Sequence, residues 1–326
     1  MQRPRLDRVN VGELSTPIAF VIAVLIFAIF SPNHLFLDPR NLASQAKLAP
    51  DIGVVALGIG VLMICGEFDL SIASVIPFCS YIFTQFLMSG INPFVGLVLL
   101  LPIGAAFGLA NGILVVRTGL PSFIITLSTM LFWRGLLYGI SRMMPISINS
   151  YLNEHPAFEQ MLVGQVGPVP VQIIWFLAFA LILGLLLHIH RFGNWVYATG
   201  SNQDAARAMG VNIDMVKVIC YMIIGVLCAW VAVMQSVRLG SFAATQGIGF
   251  ELKAIAAVVV GGVSLRGGVG SMVGIILGVF IIQIIENGLI LMQVPVFGVE
   301  TFIGIAVVLF VILNNVTSRQ PAGQGV

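Results

Sequence analysis

Three clusters of polar residues interrupt long apolar stretches, and their side chains define what chemistry the chain can offer. The first is ICGEFDLSIAS (64–74). Glu67 and Asp69 bring carboxylates that accept hydrogen bonds from hydroxyl-rich solutes, Gly66 permits a sharp turn, and Asp69 or Ser71 can cap a following helix. The second runs from VRLGSFAATQGIGFELK (237–253) into AIAAVVVGGVSLRGGVGS (254–271), where Gln246, Glu251, Ser264 and Arg266 sit among glycines at 261, 262, 267 and 268. A short apolar segment between two flexible stretches predicts a broken helix, because irregular backbone at membrane depth is tolerated where it packs in protein or lines a cavity. The third is Glu286 beside Asn287, at the end of an apolar run. Charges at bilayer depth are costly unless they meet a partner or a water-filled cavity, so each cluster is a candidate wall or gate of a path. A tight loop with a capped helix start is the alternative for the first, and an interfacial acid near a helix end for the third.

These residues stand out because only 9% of the 326 residues are charged and 59% are hydrophobic, against about 25% charged in an average soluble domain. A mean hydropathy of +1.06 and stretches apolar on every side, such as 171–187, point to helices in lipid and away from the alternating strands of a barrel. The expected fold is all-α: a polytopic membrane helix bundle forming one domain over 1–326, with tails at 1–14 and 315–326. At about 20 residues per crossing, ten spans fall near 15–31, 50–65, 70–90, 93–116, 122–140, 170–190, 215–236, 252–264, 269–292 and 297–314. The second and eighth are short for full crossings. The first is read as uncleaved, since no small-residue cleavage site follows it.

Lys and Arg in the connections set the orientation. With the N-terminus in the cytoplasm, that side receives Arg3, Arg5, Arg8, Arg117, Arg191, Arg207, Lys217, Arg266 and Arg319, and the other side Arg40, Lys47, Arg142, Arg238 and Lys253; Arg134 lies inside a span. The bias is positive-inside and puts both termini in the cytoplasm. A net charge of +2, dispersed along the chain, gives no argument for nucleic acid. Cys65, Cys79, Cys220 and Cys228 have no metal-ligand spacing and read as small buried apolar side chains, so no metal is expected. His188 and His190 close the sixth span and read as headgroup partners at the interface.

Two longer features complete the pattern. On the cytoplasmic side, 191–214 contains the most helix-like polar stretch: Ser201 or Asn202 can cap a short helix through QDAARAM, and Gly210 can end it. On the other side, the long connection 141–169 suits a docking or gating surface. There is also an internal echo, since 104–121 and 274–295 each run from a Gly-xxx-Gly helix into Asn-Gly (Asn111-Gly112, Asn287-Gly288), then an apolar stretch and a proline. Those pairs end the fourth and ninth spans on opposite faces of the membrane, the pattern of an inverted repeat. No phosphate-cradling GxxxxGK[ST] is present, none of the three lysines follows a Gly, and no nucleophilic triad presents itself.

The stretches GEFDLSIAS (66–74), NGILVVRTGLPSFIITLSTM (111–130), ATGSNQDAARAMGVNIDMVK (198–217), GFELKAIAAVVVGGVSLRGGVGS (249–271) and NGL (287–289) together resemble the permease subunits of bacterial ribose-type ABC sugar importers, over about residues 30–314. The resemblance implies a multi-pass protein of the bacterial inner (plasma) membrane, not itself an enzyme, passing a sugar or polyol by alternating access. Its implied partners are a cytoplasmic ABC ATPase carrying ATP and Mg, a periplasmic solute-binding protein and a second permease subunit, identical or a close paralogue. It also implies that Asp204, Ala205, Ala206, Arg207 and Gly210 form a coupling helix seated in the ATPase. Glu67, Asp69, Ser71, Asn111, Gln246, Glu251 and Asn287 are then the expected path or gate contacts. Departures from the pattern bear on the solute: Ile72-Ala73 stand where the family usually has Val-Gly, and two change charge, Glu67 where it often has a second Gly and Lys253 where it commonly has Asp. A nucleoside or branched-chain amino acid importer of the same architecture, and a stand-alone ion-coupled carrier, are the alternatives.

Overall fold

The computed structural model describes residues 11–318. Its helices are α1 (Val11–Phe30), α2 (Pro39–Ile64), α3 (Ile72–Met88), α4 (Pro93–Thr118), α5 (Ser122–Ser141), α6 (Asn149–Glu154), α7 (Pro156–Val163), α8 (Val171–His188), α9 (Arg191–Ser201), α10 (Gln203–Ala208), α11 (Ile213–Leu239), α12 (Phe250–Val260), α13 (Met272–Leu291) and α14 (Val296–Ser318), with a 3-10 turn at Pro32–Leu37. Two short antiparallel ribbons join β1 (Ile146–Ser147) to β4 (Ser241–Phe242) and β2 (Gln165–Val166) to β3 (Val169–Pro170). Six helices (α2, α4, α5, α8, α11 and α13) are long and apolar enough to cross a membrane. Shorter apolar stretches lie at Thr16–Phe30, Ile72–Met88 and Phe297–Ala306. A helical membrane bundle is therefore the architecture. The expected tails are shorter than 1–14 and 315–326, because α1 and α14 extend into both; 1–10 and 319–326, with Arg3, Arg5, Arg8 and Arg319, lie outside the described residues.

α2 is the axis of the bundle. From Ala49 to Cys65 it is buried almost without interruption, and its glycines let three helices approach. A Cβ on Gly53 would lie 2.7 Å from the Phe176 ring of α8, and one on Gly58 2.8 Å from Leu227 of α11; one on Gly60 would overlap Ile275 of α13. The sequence suggests a short span beginning near residue 50, whereas the helix starts at Pro39, capped by Asp38, whose carboxylate accepts from the Arg40 N–H at 2.7 Å. Arg40, Lys47, Pro50 and Asp51 disguise its first half, which stays partly exposed (Leu42 47%, Leu48 39%) until burial begins at Ala49. Pro50 is carried inside the helix despite lacking an N–H, as neighbouring helices allow at membrane depth.

The closest helix pair is α4 with α11, where backbone meets backbone. A Cβ on Gly104 or Gly108 of α4 would overlap the carbonyl of Gly225 or Tyr221, so the Gly-xxx-Gly run is a packing seam. The matching run on α13, Gly274 and Gly278, packs instead against Gly261 and Ala257 at the end of α12. Asn111 lies well inside α4, which continues to Thr118, and does not end that span as the internal echo suggests.

α12 carries the expected break. Its 11 residues rise about 16 Å, roughly half the hydrocarbon core. The preceding segment 240–249 folds inward across the first turns of α3: a Cβ on Gly247 would lie 3.4 Å from the Ala73 carbonyl and 3.5 Å from Ile76 and Pro77. Ile255 of α12 packs beside Leu70, Ala73, Leu127 and Met130. The loop that enters α3 and the loop that enters α12 thus approach from opposite ends of the bundle and meet inside it.

Candidate functional site

At one end of the bundle α9 and α10 run beside the α2–α3 and α12–α13 connections. α10 begins at Asn202, whose Oδ1 accepts from the Ala205 N–H at 3.0 Å, and stops at Gly210, held at φ +84. Asn202 rather than Ser201 is the cap. Ala206 is the one buried residue of this helix, turned toward the protein body, while Asp204, Ala205 and Arg207 face outward with Met209, which is 85% exposed. His188 and His190 are structural here: His188 Nε2 accepts from the Met272 N–H at 3.2 Å and His190 Nδ1 from the Phe192 N–H at 3.1 Å. Both remain exposed at the end of α8, and each also satisfies an N–H at a helix start, of α13 and of α9.

α9 packs where the two connections meet, and those connections bond to each other and to it. The Gly268 N–H donates to the Ile64 carbonyl at 2.8 Å, and the Tyr197 hydroxyl to the Gly270 carbonyl at 2.7 Å. Burial holds the Tyr197 phenol above its usual pKa, so it remains a donor. A Cβ on Gly200 would overlap the Ile64 carbonyl and lie 2.6 Å from the Gly268 nitrogen, and one on Gly267 would lie 2.8 Å from the Gly66 Cα. Three chain segments stack there backbone to backbone.

Just inside this junction the structure gathers Glu67, Asp69, Ser71 and Asn111. The Asp69 carboxylate accepts from the Ser71 N–H at 2.8 Å and its hydroxyl at 2.6 Å, and the Asn111 amide donates to Ser71 Oγ at 2.7 Å. The Phe68-Asp69-Leu70 backbone is clamped as well. Ser122 and Thr126 hydroxyls of α5 accept from Phe68 N–H (3.0 Å) and Leu70 N–H (3.2 Å), and the Tyr221 hydroxyl of α11 donates to the Phe68 carbonyl at 2.9 Å. Lys217 pairs with Glu67 at 2.6 Å. Asp69, Ser71 and Asn111 are at most 2% exposed, so in this conformation they hold the helix entrance rather than meet a solute. Ser122, Thr126, Lys217 and Tyr221 were not among the expected site residues, because nothing in their spacing links them to Asp69.

The remaining expected residues separate. Gln246 and Glu251 lie on the segment that enters α12, and each has an oxygen that is buried and unpaired: Gln246 Oε1 and Glu251 Oε2. Beside them, Arg134 of α5 donates to the Ala73 carbonyl at 3.1 Å. Asn287 lies elsewhere, lining an apolar cavity of about 320 Å³ between α1, the 3-10 turn, α2, α8 and α13, with its Nδ2 unpaired. Gln45, Gln283 and Asn287 are the polar residues of that wall, and the first two already bond each other at 2.7 Å. Hydroxyl groups would go largely unpaired there.

Both charge-changing departures from the family pattern carry their own counter-ion. Glu67 has Lys217, and Lys253 has Glu286 at 2.7 Å. Each charge is compensated locally, which weakens the expectation that these two positions retune the solute. A second buried pair joins Asp51 of α2 to Arg238 at the end of α11. Among the described residues, no cluster of three or more His, Cys, Asp or Glu can hold a metal ion.

Comparison with known proteins places the chain among transport permeases. Residues 41–314 match the family described as "Branched-chain amino acid transport system / permease component". The chain is 34% identical over 303 residues to the ribose import permease protein RbsC of Bacillus subtilis, covering 93% of this chain and 92% of that one. It is 31% identical to the xylose/arabinose import permease protein XylH of Sulfolobus acidocaldarius (92% and 85% covered) and 30% to the D-allose transport system permease protein AlsC of Escherichia coli (92% and 91%). No solved structure matches.

Proposed function

The chain belongs to the family of branched-chain amino acid transport system / permease components, and from that membership we propose that it is the membrane-spanning permease subunit of an ATP-driven sugar or polyol importer. The observation that carries the sugar is similarity over nearly the whole chain to permeases named for ribose, xylose/arabinose and allose. A permease subunit is not an enzyme; a separate ATPase holds ATP and Mg. The family description favours a second reading, a branched-chain amino acid, and uptake assays with D-ribose, D-xylose, D-allose and L-leucine separate the two. Leucine uptake without sugar uptake overturns the sugar.

We read the bundle as ten crossings in two inverted halves, α1–α5 and α8, α11, α12, α13, α14. Packing supports it: α3 lies against α4 and α5 as α12 lies against α13 and α14, and α2 contacts α12 as α11 contacts α3. Phe68-Asp69-Leu70 precedes α3 and Phe250-Glu251-Leu252 opens α12, an echo beyond the two Asn-Gly pairs. α1 and α8 depart from it, since α1 packs on α13 and α8 on α2.

The end bearing α9 and α10, with Arg117, Arg191, Arg207, Lys217 and Arg266, is the cytoplasmic one under the positive-inside rule, with both termini on that side. α10 is the coupling helix: Met209 offers an apolar tip to a groove of the ATPase, and Asp204 and Arg207 flank it. Motion of α10 passes through α9 to the glycine junction and so to both entrances, of α3 and α13, as alternating access requires. The opposite end, where the 146–147 and 241–242 ribbon ties the long connection to the inward-folding loop, faces a periplasmic solute-binding protein. A second copy or close paralogue completes the path.

Gly210→Pro or Ala206→Arg, in proteoliposomes holding the full complex, is expected to cut uptake by about tenfold or more while ATP hydrolysis continues, since Pro cannot adopt φ +84 and Ala206 is buried. Wild-type uptake by both variants overturns the coupling assignment.

A further inference from the structure

We propose that Arg134 is a solute-binding residue of the path, and that with Gln246 and Glu251 it receives a neutral polyhydroxylated solute at membrane depth; this rests on the sugar-permease reading.

Arg134 is the thirteenth of the 20 residues of α5, about 18 Å along the helix from its start. A guanidinium at that depth is tolerated only where it meets a partner or water. Among the described residues it has no carboxylate within ion-pairing distance, and its one protein hydrogen bond is Nη2 to the Ala73 carbonyl. A guanidinium carries five N–H donors, so most of the fork is free.

The free acceptors are close by. The Ala73 carbonyl that Arg134 holds is also the atom nearest to a Cβ built on Gly247, next to Gln246. Gln246 is 8% exposed with Oε1 unpaired, and a buried, unpaired amide oxygen lacks the hydrogen bond that such groups nearly always find. Glu251 lies one helical turn before Ile255, which packs in the same small cluster as Met130, one turn before Arg134. α5 and α12 point in opposite senses there, so Glu251 and Arg134 come to the same level. Glu251 Oε2 is also buried and unpaired.

The face has room for a ligand. A Cβ on Gly135, Gly139 or Gly249 would meet nothing within 4 Å, and Ile248 and Leu252 are 52% and 67% exposed. A donor fork beside two unpaired acceptors matches a sugar, whose hydroxyls donate and accept at adjacent carbons. Sequence reasoning set Arg134 aside as a charge within a span; its free donors become meaningful only beside residues more than a hundred positions away.

The test uses proteoliposomes holding the permease with its ATPase and binding protein, and radiolabelled D-ribose, D-xylose and D-allose with their monodeoxy derivatives. Arg134→Met is expected to lower sugar uptake about tenfold while solute-stimulated ATP hydrolysis persists, with Arg134→Lys intermediate. It is also expected to abolish the uptake penalty for the deoxy derivative lacking the hydroxyl that Arg134 binds, leaving the other penalties intact. A purely structural role moves thermal stability and uptake together and preserves every deoxy penalty; that result, or wild-type uptake by Arg134→Met, overturns the proposal. If the wild-type complex takes up none of the sugars, the sugar reading itself fails, and this assignment with it.

Discussion

Two helix entrances with similar sequence, Phe68-Asp69-Leu70 before α3 and Phe250-Glu251-Leu252 at the start of α12, build unlike corners. Before α3, Asp69, Ser71 and Asn111 form a chain of short hydrogen bonds, each residue at most 2% exposed, and four further side chains from α5 and α11 grip the intervening backbone and Glu67. At the start of α12, Lys253 takes the place of Ser71 and reaches Glu286, next to Asn287, through an ion pair whose side chains are 29% and 21% exposed. Gln246 Oε1 and Glu251 Oε2 at that corner are buried and unpaired, against Asn111 Oδ1 alone at the first, while Asn287 lines the separate apolar cavity. The difference teaches that like sequence can build unlike supports: the first entrance is held by a continuous chain of hydrogen bonds, whereas the second rests on a partly exposed ion pair and keeps two buried oxygens unpaired.

The most severe way to break this contrast is Gly200→Val, which drives side-chain atoms into the Ile64 carbonyl and Gly268 backbone. It is expected to cost more than about 4 kcal/mol, read as loss of the monodisperse peak in size-exclusion of detergent-solubilised protein. A normal peak with normal uptake refutes the rigid junction. Next, Glu67→Met strands Lys217 in a pair whose side chains are 10% and 13% exposed, and is expected to destabilise by about 3 kcal/mol. Lys253→Met at the wetter corner is expected to cost below about 1 kcal/mol. Equal losses in thermal melting would erase the distinction. The finest comparison sets Asn111→Leu against Asn287→Leu. The first removes the amide hydrogen bond to Ser71 Oγ together with an unpaired Oδ1 and is expected to cost about 1–3 kcal/mol; the second removes a buried amide donor that has no partner, so its melting temperature is expected to hold or rise.

Local chemistry was legible in the sequence where neighbours in the chain decide it. Asn202 and Gly210 bracket α10 because a cap and a left-handed stop act within a few residues. The break before α12 was legible because glycines flank too few apolar residues to span lipid. α2 was misjudged as short since Arg40, Lys47, Pro50 and Asp51 break up the apolar run along its first half, while the backbone stays helical from Pro39. The two histidines divide the same way: His190 caps its own neighbour Phe192, a local bond, whereas His188 meets the Met272 N–H 84 positions on, which spacing does not reveal.

The sequence alone determined that the chain is a bundle of membrane helices, that it lacks a nucleotide-binding motif, and that its scarce polar residues sit at helix entrances. These follow from hydropathy and from capping, which are local. The tertiary structure decided which of those residues meet. Tyr221 reaches Phe68 across 153 positions and Arg134 reaches Ala73 across 61. It sent Asn287 to an apolar cavity, away from Asp69. Side-chain partners at membrane depth are chosen by helix packing, where one buried charge or amide must find its complement on another helix, and linear spacing holds no record of that choice.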